Sequence, residues 1–139
     1  MPTLLAELAT LQADGVLAGM LNLQQIILGG HSAGGRVALE NADPRFYPQV
    51  TAAFAYGGHS AAPTIMGFAP GTILPLSGAR PLLLIGGTCD GVIAANSDRY
   101  GMKLGDATSS IVRTFKEAIA GGRDDTYLVL LEGAKLTDI

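Results

Sequence analysis

Four short apolar segments constrain the fold of this 139-residue chain more than any other feature of its sequence. They are largely continuous runs of apolar residues rather than alternating ones, and they cover 24–28, 50–56, 81–85 and 126–131. Segments with helical spacing or turn residues separate them. Continuous apolar strands that alternate with helices are typical of parallel sheets covered on both faces. The sequence therefore predicts an α/β fold with a mostly parallel sheet and helices on both faces.

The predicted helices are segments in which apolar residues recur every three or four positions. They cover 3–12, 33–42, 94–100 and 108–120, and the last of them is expected to end at Gly121-Gly122. Leu4, Leu5, Leu8 and Leu11 give the first helix an apolar side, which we expect to pack on the sheet. The segment His59–Ala79 has no such pattern, and irregular loops of that length often line sites.

Composition indicates one globular domain, 1–139, because 48% of the residues are hydrophobic and only 15% are charged. The net charge of −3 and the scattered basic residues argue against nucleic acid or an anionic membrane as a partner. No apolar run reaches the roughly 18 residues that span a bilayer. No basic leader precedes Glu7, so a cytoplasmic location is slightly favoured. The single Cys89 excludes an internal disulfide and a cysteine-rich metal site.

The pattern Gly30-x-Ser32-x-Gly34 lies between the first predicted strand and the helix that follows it. A serine on such a strand-to-helix turn can act as a nucleophile, and its neighbours at positions −2 and +2 are expected to need glycine. The Ala33 N–H begins the helix and would stabilise an oxyanion. The glycines do not fit a nucleotide-binding loop, since no G-x-G-x-x-G and no Lys-Ser/Thr occurs there. The alternative is a tight turn with a structural role only.

Other candidate residues follow the next two strands, at the sheet edge where parallel α/β folds place their chemistry. Asp90 follows the third strand, and it would either orient a histidine or cap a turn. His59 follows the second strand, where it would line the substrate cleft or serve as an alternative base.

Several further polar residues are given structural interpretations. We expect His31 to have a packing or helix-end role, Cys89 to be a small packed residue and Glu132 to be a solvated charge at a strand end. Asp98 and Asp106 are rival acids to Asp90, although neither directly follows a strand.

The order of these features resembles the C-terminal half of an α/β-hydrolase. The resemblance rests on Gly30-His31-Ser32-Ala33-Gly34-Gly35 between a strand and a helix, and on a later strand that leads into Gly86-Gly87-Thr88-Cys89-Asp90. It is strongest to the dienelactone hydrolase, chlorophyllase and cutinase-like esterase branch. The resemblance implies hydrolysis of a small-molecule carboxylic ester without metal or cofactor. Ser32 would be the nucleophile, Asp90 the acid that orients the histidine, and Ala33 N–H an oxyanion donor.

The chain also departs from this family. The family places its catalytic histidine just after the last strand, where this chain has Glu132-Gly133-Ala134-Lys135 and no histidine up to Ile139. The family's first strands have no counterpart either, so we expect a domain truncated at both ends. The first strand would then have a free edge, which predicts a homo-oligomer or a complementing chain there. The alternative function is a non-catalytic fragment or pseudoenzyme with a structural or partner-binding role.

Overall fold

Four parallel strands form one sheet in the part of the chain that the structure describes. The computed structural model describes residues 2–119 and 124–135. The strands are β1 (Ile26–His31), β2 (Val50–Tyr56), β3 (Leu82–Gly87) and β4 (Thr126–Leu131). They lie side by side in sequence order, and every neighbouring pair is parallel. The predicted α/β fold with a parallel sheet is confirmed.

Helices precede, separate or follow these strands. They are α1 (Pro2–Asp14), α2 (Ala33–Asn41), α3 (Gly91–Asn96) and α4 (Ser109–Arg113). A 3₁₀ turn at Ser97–Tyr100 extends α3, a π-helical turn at Thr114–Ala118 extends α4, and a further 3₁₀ turn covers Thr64–Met66. The predicted helix end at Ala120 and its Gly121-Gly122 cap lie outside the described residues.

The strand and helix bounds differ from the prediction where long-range pairing decides them. Strand β1 was expected at 24–28, but it continues to His31 because Gly29, Gly30 and His31 pair with 54–56 of β2. Strand β3 likewise continues to Gly87, which pairs with β4. Glycine alone predicts a turn, and only the neighbouring strand keeps these glycines extended.

One face of the sheet is buried beneath the helices. Its central residues are Ala53 and Ala55 of β2 and the paired Leu82 and Leu84 of β3, all of them at most 3% exposed. The remaining buried members of the core cluster come from the start of β2, from α2, α3 and α4, and from the residues that directly follow α2 and the π-helical turn. They are Val50, Leu39, Ile93, Ile111, Ala42 and Ile119.

The opposite face, called here the open sheet face, carries exposed apolar side chains. Two rows cross the strands there, Phe54-Leu83-Tyr127 and Tyr56-Ile85-Val129, and Ile27 lies near the start of β1. Leu83 and Ile85 are partly exposed, whereas Tyr56 is buried. Ile27 is 64% exposed and Tyr127 is 59% exposed. The described helices therefore bury one face of the sheet, where the sequence predicted cover on both.

Helix α1 does not cover the open sheet face. It forms over the predicted segment, yet none of its residues is buried, and Leu4 is 57% exposed. The expectation that α1 packs on the sheet is wrong for this chain. Helical spacing predicts which side of a helix is apolar but not which surface that side meets.

Candidate functional site

Ser32 lies on the turn between β1 and α2 in a conformation that L-residues rarely adopt. Its φ is 54° and its ψ is −122°, and it is the one non-glycine residue with positive φ in the described chain. Its N–H donates to Tyr56 O at 2.8 Å and its carbonyl accepts from Arg36 N at 3.2 Å. These bonds end the strand and begin the helix at one residue, and they maintain a backbone strain of about 1–3 kcal/mol.

The glycines around Ser32 allow the strand and the helix to approach each other closely. A Cβ on Gly30 would clash with Gly34 O, and a Cβ on Gly35 would lie 2.8 Å from Gly30 O. A Cβ on Gly34, in contrast, would have nothing within 4 Å. The predicted need for glycine at position −2, Gly30, agrees with the geometry, but the predicted need for glycine at +2, Gly34, is wrong. The second glycine that packing requires is Gly35, at +3.

Ala33 is the first residue of α2, so its N–H has no acceptor within the helix. Ser32 makes no side-chain hydrogen bond that would cap this helix start. Both residues line a cavity of about 230 Å³ at the carboxyl edge of the sheet. The free N–H groups and the positive end of the helix dipole favour a negatively charged oxygen in that cavity.

The wall of this cavity comes from three parts of the chain. Besides Ser32 and Ala33, it is formed by Arg36, Gly57, His59, Val92, Ile93, Asn96, Arg99 and Tyr100. The charged side chains in the wall are both arginines. Arg36 Nε donates to Glu40 Oε1 at 2.8 Å and its Nη1 donates to Ala61 O at 3.2 Å, which fixes the guanidinium.

His59 stands in the cavity wall beside Tyr100. The two rings meet edge to face with centroids 4.6 Å apart, and the buried His59 Nδ1 has no hydrogen-bond partner among the described residues. Burial, followed by the nearby positive charge of Arg36, lowers the pKa of His59 to about 4. The imidazole is therefore neutral at pH 7, and a base with so low a pKa accepts a proton poorly.

Asp90 is 1% exposed and caps α3. Its Oδ1 accepts from Val92 N at 3.0 Å and from Ile93 N at 2.9 Å, and both of those residues line the cavity. Its Oδ2 is buried without a hydrogen-bond partner in the described chain. One oxygen thus performs the capping role of the alternative interpretation, while the other remains available to an N–H donor.

The segment after β4 lies against the residue that precedes Asp90. Cys89 N donates to Ala134 O at 3.1 Å, and the Tyr56 hydroxyl donates to Lys135 O at 2.6 Å. Gly87 permits this approach, because a Cβ there would clash with Ala134 O. Residues 134 and 135, where the resemblance places the histidine, therefore lie between the carboxyl ends of β2 and β3.

The remaining sequence candidates lie away from the cavity wall. His31 is exposed and stacks on Tyr56 with ring centroids 5.9 Å apart, and Glu132 is exposed as expected. Cys89 is exposed as well, so the expectation that it packs is wrong. Asp98 is exposed in the 3₁₀ turn after α3. Asp106 accepts from Thr108 N and Ser109 N, at 2.9 and 2.8 Å, just before α4. Asp106 therefore stabilises the turn before α4, but unlike Asp90 it is not the N-cap of its helix.

Sequence reasoning missed four polar residues of the cavity wall, namely Arg36, Asn96, Arg99 and Tyr100. Arg36 could have been found, because it lies one helical turn after Ser32 and such residues share a helix side. The other three come from α3 and its 3₁₀ extension, and no local pattern connects them to Ser32.

No protein-family model matches this chain, and a search of curated proteins finds no relative. None of the helices in residues 2–119 and 124–135 is long and apolar enough to cross a membrane. Within the same residues, no group of three or more His, Cys, Asp or Glu side chains is arranged to hold a metal ion.

Proposed function

We propose that this chain carries the nucleophile and the acid of a serine hydrolase that acts on carboxylic esters. The observation that carries the proposal is the strained backbone of Ser32 at the uncapped start of α2. Ser32 Oγ attacks the acyl carbon and the Ala33 N–H stabilises the resulting oxyanion. The alcohol then leaves with a proton, and water releases the acid from the acylated serine.

The acid in this proposal is Asp90, acting through its free Oδ2. A carboxylate with one oxygen held by two backbone N–H groups is fixed in place, and its second oxygen can accept from an imidazole. That histidine would take the proton of Ser32. His59 suits this role poorly because its pKa is lowered to about 4, so we assign it to lining the substrate cleft.

The position of Lys135 supports a direct experiment, since its backbone lies between Tyr56 and the Cys89-Asp90 turn. We expect the unmodified chain to hydrolyse p-nitrophenyl acetate only slowly, because it has lysine rather than histidine at this place. Lys135→His should raise the rate about 100-fold, the lower end of what a positioned general base contributes. Leu136→His is the alternative variant, at a position outside the described residues.

Three controls separate a triad from a surface histidine. Ser32→Ala and Asp90→Asn in the Lys135→His background should each remove most of the gain, whereas Lys135→Gln should give none. Rapid hydrolysis by the unmodified chain that Ser32→Ala abolishes would show that another base is present, and His59→Gln would then test that residue.

A non-catalytic role is the second candidate, and the capping by Asp90 Oδ1 favours it. The capping of α3 accounts for the burial of the Asp90 carboxylate without a catalytic role. Failure of both histidine variants to raise the rate, in proteins that melt like the unmodified chain, would support this role over hydrolysis.

A further inference from the structure

Two apolar surfaces remain exposed among residues 2–119 and 124–135. One is the open sheet face, and the other is the side of α1 that carries Leu4, Leu8 and Leu11. We propose that two copies of the chain associate by placing α1 of each copy on the open sheet face of the other. The proposal does not depend on the chemistry of Ser32.

The sheet provides the first half of this contact. Parallel sheets are normally covered by helices on both faces, because their strands are apolar on both sides. Here Phe54 is 43% exposed, Val129 is 39% exposed and Tyr127 is 59% exposed, in rows that cross neighbouring strands. A contiguous apolar surface of this kind indicates a protein contact.

Helix α1 provides the second half. Leu4, Leu8 and Leu11 follow the i, i+4, i+7 spacing that places them on one side of the helix. Leu4 is 57% exposed, Leu11 is 36% exposed, and no residue of α1 is buried. With 13 residues the helix is about 20 Å long, which matches the length of a six-residue strand.

The accessible area supports a second copy as the occupant. The chain exposes 7720 Å², whereas a folded monomer of 14.3 kDa exposes about 6,800 Å². The difference of about 900 Å² is close to the roughly 800 Å² that each partner contributes to a stable interface. A two-fold dimer would form the helix–sheet contact twice, since each copy has both surfaces.

Sedimentation velocity between 1 and 100 μM tests the proposal on the full chain. We expect a dimer with about twice the 14.3 kDa mass of the monomer. Leu4→Glu/Leu11→Glu should raise the dissociation constant about 100-fold, because it places carboxylates against the apolar sheet. The matched control Ala6→Glu/Ala13→Glu adds the same charge to exposed positions on the other side of α1 and should leave the dimer intact.

A complementation experiment identifies the two halves of the contact. Tyr127→Lys should also give a monomer, because it alters the sheet surface and leaves α1 unchanged. A mixture of this variant with Leu4→Glu/Leu11→Glu retains one intact helix and one intact sheet surface. We expect the mixture to form a heterodimer at concentrations at which neither variant alone is dimeric.

Other results would overturn the proposal. A monomer at 100 μM would leave the open sheet face to a different polypeptide. A dimer that survives Leu4→Glu/Leu11→Glu would indicate pairing at the edge of β1 instead. Circular dichroism melts of each variant ensure that loss of the dimer is not loss of the fold.

Discussion

The turns at Ser32 and at Asp90 connect strands of one sheet to helices that begin at the same edge, yet they satisfy those helix starts differently. Ser32 has a φ of 54° and makes no side-chain cap. Asp90 has a relaxed φ of −70°, and its side chain accepts from two N–H groups of α3. The first turn leaves its helix start free for a ligand, and the second closes its own.

The topology of the sheet places both turns at the same edge, and the side chain at each turn determines whether the helix start is capped or free to bind a ligand. An aspartate is long enough to bend back onto the N–H groups of its own helix, so a capped turn forms. A serine held at positive φ does not cap, and its hydroxyl and helix start can act on another molecule. The predictions below test this contrast, from the largest expected effect to the smallest.

The strongest test concerns the close approach that maintains the strained turn. Gly30→Ala should lower the free energy of unfolding by at least about 3 kcal/mol, because its Cβ would clash with backbone atoms of α2. Gly34→Ala is the matched variant, and with open space around its Cβ it should be neutral or stabilise by up to about 1 kcal/mol. Urea denaturation measures both, and equal losses would contradict the assignment of the tight contact to Gly30 and Gly35.

Lowering the pH should reduce the free energy of unfolding through His59, which lines the cavity beside Ser32. The pKa of His59 falls from 6.5 to about 4 on folding, so between these values the unfolded chain binds more protons than the folded one. Stability from this group is therefore complete above pH 6.5 and is lost as the pH falls toward 4. Allowing for the partial exposure of His59, we expect the free energy of unfolding to fall by about 2 kcal/mol between these two pH values.

The measurement is the free energy of unfolding at pH 4 to 7 for the unmodified chain and for His59→Gln. The difference between the two proteins should change with pH in the stated direction, because other groups contribute equally to both. Parallel pH profiles would mean that His59 is not desolvated in the cavity.

The second turn separates a structural role from a catalytic one. Asp90→Ala should lower stability by about 1 kcal/mol through loss of the cap, whereas Asp90→Asn keeps a capping oxygen and should stay within about 0.5 kcal/mol of the unmodified chain. Thermal melts compare the two variants. If Asp90→Asn also preserves the activity gained by Lys135→His, Asp90 is a cap only.

The smallest effect is relief of strain at the first turn. Ser32→Gly should stabilise the chain by about 1 kcal/mol, since glycine adopts positive φ without a Cβ penalty. Ser32→Ala keeps the Cβ and should show no such gain, which makes it the control in the same urea experiment. A gain in the alanine variant as well would place the strain in the hydroxyl rather than in the backbone.

The sequence by itself determined the elements whose signals are local. Strands β2 and β4 have the predicted bounds because their apolar runs are delimited by turn residues, and α2 begins at Ala33 as the pattern around Ser32 requires. The start of α3 could have been predicted in the same way, since Asp90 followed by Gly91 is a capping signal. The prediction from helical spacing alone placed that start at residue 94.

Tertiary structure decided what depends on residues far apart in the chain. Gly29 and Gly30 are extended because β2 lies beside them, and Gly35 rather than Gly34 is the glycine that the helix contact requires. His59, Arg36 and Tyr100 share one cavity wall only because the strands bring their loops together. The spacing of apolar residues predicts which side chains favour burial, but the surface that buries them belongs to another part of the polypeptide. For this reason only the tertiary structure shows that the open sheet face and α1 are exposed.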